Sequence, residues 1–142
     1  MKTSFRITLC ILVACAACFA WGLHYLRMEF ADSADYTEQD TQDYNFYTPD
    51  LLKKAPRLTD NYSFHYSNVS GPNPAQIFRV RFIGTTDADQ INAFMKQNGY
   101  IKSEACSFTG DCWAGNDPNV TVSVETEEKP RAVLISMVDK KS

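Results

Sequence analysis

The sequence has few histidines and lacks the common catalytic motifs. It contains two histidines, and only His65 lies outside the apolar stretch near the N-terminus. No HExxH, GxSxG, Walker A or GxGxxG pattern occurs. The acids Glu104, Asp111 and Asp117 are close in sequence and form the one catalytic alternative, but such acids are also common in turns. We therefore predict that the protein is not an enzyme and holds no cofactor or metal.

Cysteines are also scarce outside that apolar stretch. Cys10, Cys15 and Cys18 lie within it, which leaves Cys106 and Cys112. Two thiols are too few for a structural zinc site, and their spacing differs from that of a CxxC redox motif. A pair of cysteines in an oxidising compartment is typical of a disulfide, so we predict a Cys106–Cys112 bond.

Basic residues are absent from residues 29–50, which contain seven acids, whereas residues 51–142 contain eleven basic and ten acidic residues. The chain therefore has no basic region that predicts nucleic-acid binding. Residues 27–50 lack apolar periodicity, and their acids repel one another, so we predict an acidic juxtamembrane linker. Three of its aromatic residues, Tyr44, Phe46 and Tyr47, can be interpreted in two ways. Either they begin the packing of the chain onto the following domain, or they dock on a partner.

The N-terminal segment is long and apolar. Residues 7–26 are twenty positions without a charge, preceded by Lys2 and Arg6. In a helix they span roughly 30 Å, the thickness of a bilayer core. The positive start predicts a cytoplasmic N-terminus and residues 27–142 on the other side.

Three fates of this segment, residues 1–26, remain open. It is retained as a signal anchor, or it is a lipoprotein signal acylated at Cys15, or it is a secretory signal cleaved after Ala17 or Ala20. The short basic start and the sequence before Cys15 are typical of bacteria. We therefore expect a single-pass inner-membrane protein with its C-terminal domain in the periplasm, or else a lipoprotein or secreted protein.

Alternating apolar residues predict a small sheet within residues 51–142. Strands are predicted near residues 62–67 and 78–82 as a hairpin, and near residues 120–125 and 132–138 after a helix over 88–95. Thr86 is the expected helix N-cap, and Gly99 the C-terminal cap. The predicted fold is α+β: a β-β-α-β-β antiparallel sheet of four strands, or five with a short strand near Ile101, and one helix packed on a face. A polar turn is expected over residues 126–130.

The segment around the predicted disulfide is the clearest candidate site. Phe108, Asp111 and Trp113 would be displayed on a stiffened loop and would suit recognition of a partner. Alternatively, Phe108 and Trp113 plug the open end of the sheet. His65 lies on the polar face of its strand between Ser63 and Ser67, which lack the geometry of a catalytic triad.

These features favour a binding protein. The leading hypothesis is a membrane-tethered periplasmic protein that neutralises or inhibits another protein, as an immunity protein or an inhibitor of an envelope hydrolase does. The alternative is an accessory subunit of an envelope complex, or a sensor modulator, that acts through its transmembrane helix.

Overall fold

The computed structural model describes residues 1–104 and 110–140. The chain forms two compact units, Met1–Ala31 and Asp32–Ser142. The first is a single helix, and the second contains a seven-stranded antiparallel sheet with three short helices. The predicted α+β class is confirmed at this level.

The first unit is the helix α1, Lys2–Glu29. Within its stretch Thr3–Glu29, the most apolar window of 18 residues has a mean hydropathy of 2.0, and none of that window is buried within the protein. By length and composition this helix could cross a membrane, and an N-terminal signal sequence would have the same properties.

The second unit contains the remaining helices and strands. The helices are α2 (Thr41–Tyr47), α3 (Asp50–Lys54) and α4 (Asp89–Gln97). The strands are β1 (Ser33–Tyr36), β2 (Tyr62–Val69), β3 (Ala75–Ile83), β4 (Ile101–Lys102), β5 (Asp111–Ala114), β6 (Val120–Glu128) and β7 (Arg131–Asp139). Their order across the sheet is β1-β2-β3-β7-β6-β5-β4.

The predicted β-β-α-β-β order is incomplete. The four long strands and α4 are present, the short strand expected near Ile101 is β4, and the structure adds β1 and β5. These two extra strands have four residues each, so alternation along the sequence is too short to indicate them, and pairing with a neighbour defines them instead. The turn predicted over residues 126–130 is also wrong in extent, because β6 and β7 stay paired as far as Glu128 and Arg131.

The acidic segment belongs largely to the second unit. Residues 33–36 pair with β2, with Tyr36 opposite Phe64, and α2 and α3 follow before β2 begins. An extended linker over residues 27–50 therefore does not describe this part of the chain. Its acids remain mostly exposed, while Tyr36 and Tyr47 are 4% and 5% exposed. Burial of these rings offsets the repulsion that made the segment look unstructured.

One face of the sheet is apolar and packs against α2. In register across β2, β3, β7 and β6 are Phe64, Val80, Ile135 and Val124, all of which are buried. The ring of Tyr47 in α2 stacks on Tyr66 of β2, with ring centroids 4.6 Å apart. In α4, Ile91 and Met95 of the predicted apolar stripe are fully buried.

The ends of α4 agree only in part with the caps predicted from the sequence. Gly99, at φ +80°, follows the helix as predicted, and the Tyr100 amide donates to the Met95 carbonyl. The predicted N-cap Thr86 is wrong, because the helix begins at Asp89. The Asp89 amide donates instead to the side-chain carboxylate of Asp87, at 2.9 Å.

Arg57 connects the acidic segment to α3. Its Nε donates to Glu38 Oε1 at 2.8 Å, and its Nη2 donates to the Tyr44 hydroxyl at 3.1 Å. Its Nη1 donates to the carbonyls of Leu52 and Ala55, at 3.0 and 2.7 Å. One guanidinium thus connects three parts of the chain. They are the residues that follow β1, the helix α2 and the C-terminal end of α3.

The surroundings of Arg57 fix its charge state and that of Glu38. The guanidinium lies over the rings of Tyr62 and Phe64, 5.3 and 5.5 Å from their centroids. Burial opposes ionisation of Glu38, but hydrogen bonds from Arg57 and Tyr62 outweigh it and hold the pKa of that carboxyl below its usual range. Nearby, burial raises the pKa of the Tyr36 hydroxyl to about 12.

Replacing Arg57 by alanine should destabilise the second unit by about 2 to 3 kcal/mol, because it removes bonds to several partly buried acceptors at once. Arg57→Lys should recover only part of this loss, since an ammonium cannot reach all of these acceptors. Urea unfolding of the full chain in detergent, followed by Trp113 fluorescence in a Trp21→Phe background, measures the effect. The control is Arg131→Ala at an exposed arginine, which should change stability by less than about 0.5 kcal/mol. Equal effects at the two positions would contradict the structural role of Arg57.

Candidate functional site

The second face of the sheet carries a shallow depression lined by charged side chains. We call it the polar depression; its volume is about 290 Å³, and its lining residues are Asp35, Ser63, His65, Arg79, Arg81, Glu127 and Leu134. These residues come from β1, β2, β3, β6 and β7. Their side chains share one face because alternate residues of a strand point to the same side.

The strand register brings distant residues into one row. Asp35 of β1 is opposite His65 of β2, which is opposite Arg79 of β3, and Arg79 is opposite Ser136 of β7. Neighbouring strands are about 4.8 Å apart, so adjacent members of the row are within side-chain reach.

His65 interacts with the carboxylate of Asp35. The distance between His65 Nδ1 and Asp35 Oδ1 is 2.6 Å, and the side chains are 37% and 86% exposed. Neither Ser63 nor Ser67 hydrogen-bonds His65, which agrees with the expectation from their spacing. His65 and Asp35 are therefore arranged like the histidine and the acid of a catalytic triad, but neither of these serines is hydrogen-bonded to His65 as a nucleophile would be.

Two arginines of β3 lie beside this pair. Arg79 Nε donates to Ser136 Oγ at 2.9 Å, and Ser136 is 2% exposed. Arg81 Nη2 forms an ion pair with Glu127 Oε2 at 2.5 Å. Arg81 Nε is buried and has no acceptor among the residues that the structure describes. The depression therefore contains more N–H donors than its own acceptors occupy.

This arrangement can hold a small polar group. Its volume is at the lower limit of ligand pockets in proteins, which suits a side chain better than a large cofactor. Within residues 1–104 and 110–140, no group of three or more His, Cys, Asp or Glu side chains could hold a metal ion.

The predicted disulfide segment is only partly described. Cys112 is disulfide-bonded and 4% exposed. Its predicted partner Cys106 and the candidate recognition residue Phe108 lie outside the described residues. The Cys106–Cys112 pairing and the role of Phe108 therefore remain predictions.

Asp111 and Trp113 of the same segment contact one lysine of β4. Lys102 Nζ is 2.9 Å from Asp111 Oδ2 and 5.5 Å from the centroid of the Trp113 ring. Trp113 is 1% exposed, whereas Asp111 is half-buried. The placement of Trp113 favours the packing alternative over a displayed recognition residue.

Three aromatic residues of the acidic segment, Tyr44, Phe46 and Tyr47, lie within α2. Tyr47 is buried, and its ring contacts the rings of Tyr36 and Tyr66. Tyr44 and Phe46 are half-buried, and Tyr44 meets the ring of Phe64 edge-on. Their contacts favour packing onto the sheet. Cys15, the alternative acylation site, is exposed on α1.

The sequence indicated part of the polar depression. Alternation predicted that His65 and the two arginines of β3 face away from the core, which they do. Asp35 was missed because its strand is four residues long, and Glu127 because β6 extends through the predicted turn. The alternation of polar and apolar residues over Ser33-Ala34-Asp35-Tyr36 was a local signal for β1, but it extends over four residues only.

Comparison with known proteins identifies no relative. No family model matches the chain, and no curated protein or solved structure is significantly similar to it.

Gly110 allows the chain to enter β5 beside β6. Its φ is +108°, and a Cβ there would lie 2.5 Å from the Val124 carbonyl oxygen. Gly110→Ala should therefore destabilise the second unit by about 2 kcal/mol or more, through backbone strain and a steric clash. The matched control is Gly71→Ala, since Gly71 has φ +133° but no atom within 4 Å of the added Cβ. Urea unfolding of both variants separates the cost of the steric clash from that of the backbone strain. Equal losses in the free energy of unfolding would show that no clash exists.

Proposed function

We propose that the protein is a membrane-tethered binding protein whose second unit, residues 32–142, neutralises or inhibits another protein of the cell envelope. An immunity protein or an inhibitor of an envelope hydrolase is the class we favour. The observation that carries the proposal is the open polar depression on a compact unit that follows an apolar helix. Its charged side chains are held by defined pairs, as in interfaces that select a partner by electrostatic complementarity.

The proposed location is the bacterial inner membrane, with the second unit in the periplasm. The apolar helix α1 and the basic residues that precede its charge-free stretch support this topology. The disulfide at Cys112 supports an oxidising compartment. Retention as an anchor is the proposed fate, and acylation at Cys15 or cleavage are its alternatives.

A second proposal is an accessory subunit or sensor modulator that acts through α1. Small residues favour it, because they allow another helix to approach closely; they are Ala14, Ala16, Ala17 and Gly22. In that case the specific contacts would be made within the membrane and not by the sheet.

Replacing residues 1–26 with an unrelated secretory signal distinguishes the two proposals. We expect the exchanged protein to retain its partner, because the binding surface lies in the second unit. The measurement is affinity capture of the native and exchanged proteins from an envelope extract with mass spectrometry, followed by a binding assay with the purified partner. Partner loss on the exchange would contradict the first proposal and support the second. Turnover of a cell-wall substrate by the purified protein, with no partner recovered, would contradict both.

A further inference from the structure

Among the residues that the structure describes, one arginine of the polar depression has no carboxylate counterion. Asp35 is engaged by His65, and Glu127 is engaged by Arg81. Within the part of the chain that the structure describes, the only interaction of Arg79 is its Nε bond to Ser136. Both Nη atoms of Arg79 are therefore available as donors to a ligand.

The position of Arg79 suits an anchor for an anion. The arginine is half-buried in the middle of the sheet, where a charge interacts more strongly than it does in bulk water. Its bond to Ser136, a side chain 2% exposed, fixes one edge of the guanidinium. A donor group that is already ordered loses less conformational entropy when a ligand binds.

We infer that Arg79 anchors a docking site for a single carboxylate carried by a segment of the protein partner. The two Nη groups donate to the two carboxylate oxygens, while Nε keeps its bond to Ser136. Paired donation of this kind is the strongest and most directional contact that an arginine offers. This inference rests on the proposed function, because it names the surface and the ligand chemistry through which the partner is bound.

The surrounding charges favour one carboxylate over a run of acids. Asp35 and Glu127 each lie two strands away from β3, on opposite sides. Two strand spacings are about 10 Å, so neighbouring acids of a ligand would approach these carboxylates and be repelled. The volume of about 290 Å³ exceeds that of a carboxylate, so the remainder accommodates the chain that carries it.

The test is an NMR titration of the full chain in detergent micelles. The probes are a capped heptapeptide of serines with one central glutamate, the same peptide with glutamine, one with three consecutive glutamates, and sodium acetate. We expect the single-glutamate peptide to shift the Arg79 Nε–H signal and the amide signals of His65 and Ser136. The glutamine peptide should shift none of them, and the triple-glutamate peptide should bind no more tightly than the single one.

Variants at Arg79 identify the anchor. Arg79→Gln should weaken binding of the single-glutamate peptide by about tenfold or more, and Arg79→Lys by about fivefold, because lysine keeps the charge but loses paired donation. The matched control Arg131→Gln removes an exposed arginine outside the depression and should leave affinity unchanged. Unperturbed amide signals of the buried strands β6 and β7 will show that each variant is folded.

Three results would overturn the inference. One is unchanged peptide binding by Arg79→Gln, and another is equal shifts from the glutamine peptide. The third is acetate binding as tightly as the peptide, which would assign the site to free small anions. A purified partner that binds Arg79→Gln normally would refute this inference and leave the proposed function standing. If the peptide binds at Arg79 but no envelope partner is recovered, the proposed function is refuted and the carboxylate site at Arg79 stands.

Discussion

The pairing of β1 with β2 is the constraint on which the acidic segment and the polar depression depend. It places Tyr36 against Phe64, their ring centroids 5.6 Å apart, and Asp35 against His65 on the other side of the sheet. The same four-residue strand therefore contributes one ring to the core and one carboxylate to the polar depression. The chain then reverses through α2 and α3, and Arg57 joins that return path to Glu38. Without this strand the polar depression would lose one wall.

The two units differ in what they bury. The apolar side chains over residues 7–26 of α1 are all exposed, which is costly in water and would be favourable in a bilayer. The second unit buries most of its large apolar residues, and most of its acids are exposed. This division underlies the proposal that the helix determines location and the sheet recognises the partner.

Sequence reasoning succeeded where a pattern extended over a long element. The alternation in β2 and β3, the stripe of α4 and the glycine at its end are local signals, and the structure contains each of them. It failed for β1 and β5, whose few residues gain their stability from hydrogen bonds to neighbouring strands. The acidity of residues 29–50 was also misleading. A single aromatic ring packed on the sheet can outweigh several exposed charges that solvent screens.

The candidate site was predictable only in part, for the same reason. The alternation identified the polar face of one hairpin, so His65, Arg79 and Arg81 were placed correctly. The partners Asp35 and Glu127 come from strands that are far away in sequence, and only the sheet register brings them near. Trp113 is 1% exposed on β5, which favours the packing alternative over display to a partner, a choice that the sequence left open.

Amide hydrogen exchange of the full chain in detergent tests the account most directly. If residues 33–36 are a strand of the sheet, their hydrogen-bonded amides will be protected to a degree comparable with those of β2. If the same amides exchange at the rate of an unstructured peptide while residues 62–69 stay protected, the acidic segment is a linker. The polar depression would then lack Asp35, and the description of the second unit would be wrong.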